Sequence, residues 1–110
     1  GVSARFEREP GGNPEELIAA AHASCFSMAL SLMLGDAGFE PASIETEAAV
    51  KLEKVGDGFA ITSSHLSVYA RVPGIEQEKF VEVASQAKAG CPVSKVLNTK
   101  ITMDATLLAE

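Results

Sequence analysis

Hydrophobic and polar positions change their period three times along this chain, and each change marks an element. Residues 5–13 hold Pro10, Gly11 and Gly12 and read as a loop. Asn13 then offers an N-cap side chain, Pro14 suits the first helical position, and Glu15 and Glu16 put negative charge at the positive end of a helix dipole. The helix so started runs through residues 17–34, which contain no Asp, Glu, Lys or Arg, and stops at Gly35 or Gly38 ahead of Pro41. From Ser43 to Val55 the period becomes two, with Ile44, Thr46, Ala48, Val50 and Leu52 on one face and Glu45, Glu47, Lys51 and Glu53 on the other. Gly56-Asp57-Gly58 is a hairpin connection, and residues 59–72 return as a second strand. Its apolar parity flips between Phe59 and Ile61 on one side and Leu66, Val68, Ala70 and Val72 on the other, which predicts a β-bulge around Ser63-Ser64-His65.

Pro73-Gly74 closes that strand, and residues 76–89 regain helical spacing with Phe80, Val83, Ala84 and Ala87 inward and Gly90 as the stop. Cys91-Pro92 opens a short helical turn through Leu97, and residues 99–108 alternate with Ile101, Met103, Ala105 and Leu107 on one face. The order helix, strand, strand, helix, strand predicts an α+β fold in one domain, with the long helix packed on a sheet.

Residues 17–34 reach the lower length limit for a membrane span. His22, Ser24, Ser27, Ser31 and many alanines argue instead for a helix buried all round, and in a 110-residue chain the second face calls for a partner subunit. A homodimer is therefore expected, and no membrane. Composition narrows the partners further. The net charge is -6, so the positive charge that nucleic acids and anionic surfaces attract is missing, and no nucleic-acid partner is expected. Aliphatic side chains supply most of the 46% hydrophobic content, because aromatics make up only 5%.

The candidate chemistry lies in two cysteines, Cys25 and Cys91, too few and too distant for a disulfide scaffold or a zinc knuckle. Cys91 precedes Pro92 at an expected helix N-terminus, where amides favour a thiolate; Cys25 sits in a buried helix, where desolvation raises a thiol pKa unless a cation is near. Either thiol also suits a core as a small hydrophobe. His22, one turn before Cys25, reads as a hydrogen-bonded core histidine or as a base for a thiol nucleophile. His65 reads as structural or exposed.

Residues 5–7 and 12–30, including Gly12-Asn13-Pro14-Glu15-Glu16 and Ala21-His22-Ala23-Ser24-Cys25-Phe26, resemble the OsmC/Ohr family of organic hydroperoxide reductases, in its OsmC branch. So do Gly58-Phe59-Ala60-Ile61, Val72-Pro73-Gly74-Ile75 and the run 87–97 around Gly90-Cys91-Pro92-Val93-Ser94. The resemblance implies an OsmC-like fold in an intertwined homodimer, and thiol-dependent reduction of organic hydroperoxides to alcohols in oxidative or osmotic stress defence. It makes Cys25 the peroxidatic cysteine and Cys91 the resolving one, reversing the order that dipole reasoning suggests. Arg5 matches the family's active-site arginine and Glu15 its active-site glutamate, so Arg5 would stabilise the Cys25 thiolate while Glu15 orients the guanidinium. A Cys25 sulfenic acid, a Cys25-Cys91 disulfide and an external dithiol reductant, lipoyl-type or another small dithiol, complete the implied cycle without metal or other cofactor.

Phe26, Met28 and Leu30 would favour an alkyl hydroperoxide, although core packing accounts for them equally. Ten residues of straight helix separate Glu15 from Cys25 by about 15 Å, so either the helix start bends or Glu15 comes from the partner chain, the second being expected. Family members carry an N-terminal β-hairpin region before the arginine, and only four residues precede Arg5 here, so that region is expected to be missing. Thiols kept reduced suit the cytoplasm. Two other functions stay open from the residues: a non-catalytic domain of the same fold that binds a small molecule or partner, and acyl transfer by Cys25 and His22, for which no orienting acid is evident.

Overall fold

The computed structural model describes residues 13–110. Arg5 and the loop expected at its side lie outside the described residues. The elements in chain order are helix α1 (Pro14–Asp36), strands β1 (Ser43–Val55) and β2 (Gly58–Arg71), helices α2 (Gln77–Gly90) and α3 (Pro92–Val96), and strand β3 (Lys100–Leu107). The expected α+β order holds.

Helix α1 begins as its sequence dictates. The Asn13 side chain accepts from the Glu16 amide at 2.8 Å and donates back to the Glu16 carboxylate at 3.1 Å, a reciprocal cap that satisfies free N-terminal groups. Losing such a cap costs about 1 kcal/mol, so Asn13→Ala should lower the unfolding free energy by that amount in a denaturant titration. At the other end Gly38, with φ of 94°, is the stop. Its N–H donates to Gly35 O at 3.0 Å, and Phe39 N–H donates to Leu34 O at 2.8 Å, a Schellman closure that turns Phe39 back onto the core.

The sheet has the order β1-β2-β3, with β1 antiparallel and β3 parallel to β2. The hairpin needs only Gly56 and Asp57 between paired Val55 and Gly58, and Gly56 adopts a φ of 60° that other residues resist. The bulge lies one residue earlier than expected. Lys51 pairs with Ser63 while Leu52 pairs with Ile61, so Thr62 is the extra residue, and its hydroxyl is held by the Glu53 carboxylate across the ladder. Serine 63 to histidine 65 stay in regular register, correcting the expectation placed on them.

Beyond the bulge Ser64, Leu66, Val68 and Ala70 point inward and are fully buried. They meet Phe26, Leu30 and Leu34 of α1 and Phe80, Val83, Ala84 and Ala87 of α2 in one core. Each large side chain removed from water there contributes about 1.5–3 kcal/mol. The opposite sheet face carries His65, which bridges β2 to β3 through Thr102 at 2.6 Å and Asp104 at 3.1 Å. Asp104 is exposed, so this is a cross-strand tie of the structural kind expected for His65.

Helix α1 is long and apolar enough to cross a membrane by length and composition, yet it lays one face on the sheet. Ser27 donates to Thr46 of β1 at 2.7 Å, fixing that contact. The reverse face keeps Leu17, Met28 and Leu32 more than half exposed. Phe26 and Leu30 thus belong to the core whereas Met28 points outward, so the three apolar neighbours of Cys25 do not form one substrate wall.

Candidate active site

Cysteine 25 stands in the middle of α1, half-buried; Cys91 is the single residue between α2 and α3 and is fully buried. Two features bring Cys91 to the long helix. Gly90 lacks the Cβ that would press to 3.2 Å from the Met33 side chain, so the end of α2 can come close to α1. Pro92 then starts α3 at once, and Cys91 O accepts the Lys95 N–H at 3.1 Å. The result is that two thiols 66 residues apart in sequence come close enough for each to act on the other's acidity, both sulfurs being free.

Their acidities are pulled in opposite directions. Burial pushes the Cys25 thiol up, its hydrogen bond to Cys91 adds to that, and the Val93 backbone opposes it only in part. Burial also pushes Cys91 up, but the neighbouring Cys25 and the polar groups of Ser94 and Val93 outweigh it and leave Cys91 below the ordinary thiol range. Of the two thiols Cys91 is therefore the one more readily ionised, the order that helix-terminus reasoning suggests from sequence.

Histidine 22 is fully buried on the core face of α1, four residues before Phe26. Both of its ring nitrogens are engaged. Nδ1 lies 2.7 Å from Ser64 Oγ on β2 and Nε2 lies 2.8 Å from Ser94 Oγ on α3. Burial pushes its pKa down, which favours the neutral ring. This is the hydrogen-bonded core histidine of the two sequence readings, tied to the Cys91 side of the site and not to Cys25. Sequence reasoning missed Ser64 and Ser94. The only available signal for Ser94 was its place three residues after Cys91, where it shares the same helical turn.

Glutamate 15 is partly buried in the first turn of α1, ten residues from Cys25 on the same unbroken helix. It borders a cavity of about 460 Å³ together with Ile18, Leu52, Phe59 and Ile61, and Phe59 at the hairpin tip is 71% exposed. The structure brings Cys25, Cys91 and His22 together and leaves Glu15 about 15 Å along the helix from that group. Among the described residues no three of His, Cys, Asp and Glu converge as a metal-binding cluster.

Comparison with known proteins places the chain in a family. Peroxiredoxin OsmC of Escherichia coli is 60% identical over 107 residues, covering 97% of this chain and 75% of the relative. Organic hydroperoxide resistance protein-like 2 of Staphylococcus epidermidis is 35% identical over 98 residues, covering 86% of this chain and 67% of the relative. The crystal structure of the organic hydroperoxide resistance protein OhrB of Bacillus subtilis superposes with a TM-score of 0.71 at 28% identity, covering 92% of this chain and 75% of that one. The family model described as OsmC-like protein matches residues 7–106, and the chain belongs to the OsmC family.

Proposed function

We propose that this chain is a two-cysteine peroxidase that reduces organic hydroperoxides to alcohols. The observation that carries the reading is the approach of the free Cys25 and Cys91 thiols, near enough for each to shift the other's acidity. Two sulfurs that meet without a bond are poised for one, since closing a disulfide requires only that such neighbours lose two hydrogens.

Exposure supports the assignment of roles where acidity alone would reverse it. Cys25 is half-buried and open to a small molecule, whereas Cys91 is 0% exposed and has Cys25 as its accessible reaction partner. The Cys25 thiolate attacks the terminal peroxide oxygen, the O–O bond breaks, and the departing alkoxide takes a proton and leaves as alcohol. Cys25 is then a sulfenic acid. The Cys91 thiolate attacks it, the S–S bond forms, and the departing hydroxide takes up a proton and leaves as water. An external dithiol, of lipoyl type, reopens the disulfide by exchange. The cycle runs on thiols and needs no prosthetic group.

Because burial and Cys91 both oppose ionisation of Cys25, the first step needs a cation near it. Arg5 takes that role in the reading, and Glu15 of the partner subunit holds the guanidinium in place. The exposed Leu17, Met28 and Leu32 supply apolar surface for the homodimer this requires. A reducing cytoplasm and a place in oxidative or osmotic stress defence fit the same chemistry.

Peptide mapping under non-reducing conditions after one equivalent of cumene hydroperoxide tests the reading. A Cys25-Cys91 disulfide is expected. Two unmodified thiols would overturn it and leave a binding domain of the same fold.

A further inference from the structure

A line of polar side chains runs from the sheet toward the resolving cysteine: Ser64 Oγ, His22 Nδ1 and Nε2, and Ser94 Oγ, which stands in the helical turn that Cys91 opens. Three separate elements contribute it, β2, α1 and α3, in an otherwise apolar core. Among the described residues no buried side-chain nitrogen or oxygen lacks a hydrogen-bond partner.

We propose that His22 and Ser94 are positioning residues for Cys91, with the neutral His22 ring holding the Ser94 hydroxyl so that its proton points at the Cys91 sulfur. The inference deepens the peroxidase reading and rests on it for the role of Cys91. Direction along the line follows from donor arithmetic. A hydroxyl has one proton, so if Ser94 gives its own to the sulfur, its oxygen must accept from Nε2–H. Nδ1 is then unprotonated and accepts the Ser64 hydroxyl. The Ser64 hydroxyl, which can donate or accept, accommodates that tautomer.

The consequence reaches two steps of the cycle. In resolution Cys91 must attack as thiolate, and a donor fixed on its sulfur raises the thiolate fraction at a given pH. In reductive reopening an incoming thiolate attacks Cys25, the S–S bond breaks, and its electron pair departs on Cys91. A lower pKa of that leaving thiol speeds the step. The groups acting on the sulfur are Cys25 from α1 and Val93 and Ser94 from α3, and burial alone acts on His22. Lys95, next to Ser94 on α3, is exposed.

The test needs no peroxide. In a Cys25→Ser background the single remaining thiol is titrated by thiolate ultraviolet absorbance. Ser94→Ala should raise the Cys91 midpoint by about one pH unit, a tenfold change in acidity, while Ser94→Thr keeps it near the parent value. His22→Leu should raise it similarly, whereas His22→Gln, which retains an N–H donor toward Ser94, should move it much less. A purely structural histidine would change the melting point and leave the midpoint alone. An unmoved midpoint in Ser94→Ala, or equal midpoints for His22→Leu and His22→Gln, overturns the proposal. Should the midpoint shift as stated while cumene hydroperoxide leaves both thiols intact, the positioning stands and the peroxidase reading fails.

Discussion

Cys25→Ser is expected to lower organic hydroperoxide turnover by a factor on the order of 10⁴ or more, the scale on which an enzyme loses its nucleophile. A serine hydroxyl at this position is not ionised, and among the described residues His22 is committed to Ser64 and Ser94. Cys91→Ser should behave differently. Cys25 keeps its exposure, so the first equivalent of peroxide is still consumed at a comparable rate, but the sulfenic acid has no thiol beside it. It should accumulate, gain the mass of one oxygen, and be trapped by dimedone. Steady-state turnover then falls to whatever rate the external dithiol achieves on the sulfenic acid directly. Stopped-flow consumption of cumene hydroperoxide with intact mass after one turnover separates the two variants. The contrast is decisive because Cys91 is the more acidic of the pair in the structure. If acidity chose the nucleophile, Cys91→Ser would lose the first turnover and Cys25→Ser would keep it.

That tension between access and acidity was half legible in the sequence. Local signals located the parts: Asn13 and Pro14 start α1, Gly90 and Pro92 frame Cys91, and alternation sets the inward face of β2. What local pattern does not carry is which distant residues meet. Ser64 and Ser94 lie 42 and 72 residues from His22, and a serine in a half-polar strand or a short helix gives no sign of a buried partner. Thr62 escaped for another reason. The parity flip shows that one residue is extra somewhere between Ile61 and Leu66, and threonine fits either face, so the pattern does not say which residue it is.

Helix α1 presents the opposite difficulty. Its apolar residues surround the axis, so periodicity did not choose between Phe26 and Met28 as the inward residue, and only packing on Leu66 and Val68 does. The same all-round character left a second apolar face outside the chain's own core. Leu17, Met28 and Leu32 lie on it, and only a third of the most apolar eighteen-residue stretch is buried within one chain.

Mixing two inactive variants is expected to restore activity if that face is covered by a second copy and the site is shared. Glu15 and Cys25 occupy one continuous helix, about 15 Å apart along its axis, beyond the reach of a single arginine fork bridging both. Glu15→Ala leaves Cys25 intact but its guanidinium clamp unformed; Cys25→Ala leaves the clamp without a nucleophile. In a dimer with crossed sites, the mixed pair rebuilds one complete site, combining Cys25 of the first chain with Glu15 of the second. Each homodimer rebuilds none. After unfolding and refolding an equimolar mixture, about half of the dimers are mixed and each has one working site of two, so recovery should approach about a quarter of the parent rate. Differential tags on the two chains allow the mixed dimer to be isolated and assayed alone, where recovery should approach about half. A site complete within one chain predicts no recovery in either preparation, because every chain then carries its own lesion. Isolated mixed dimers with no more activity than the two parents would therefore place Glu15 and Cys25 in separate roles and remove the shared site from the mechanism.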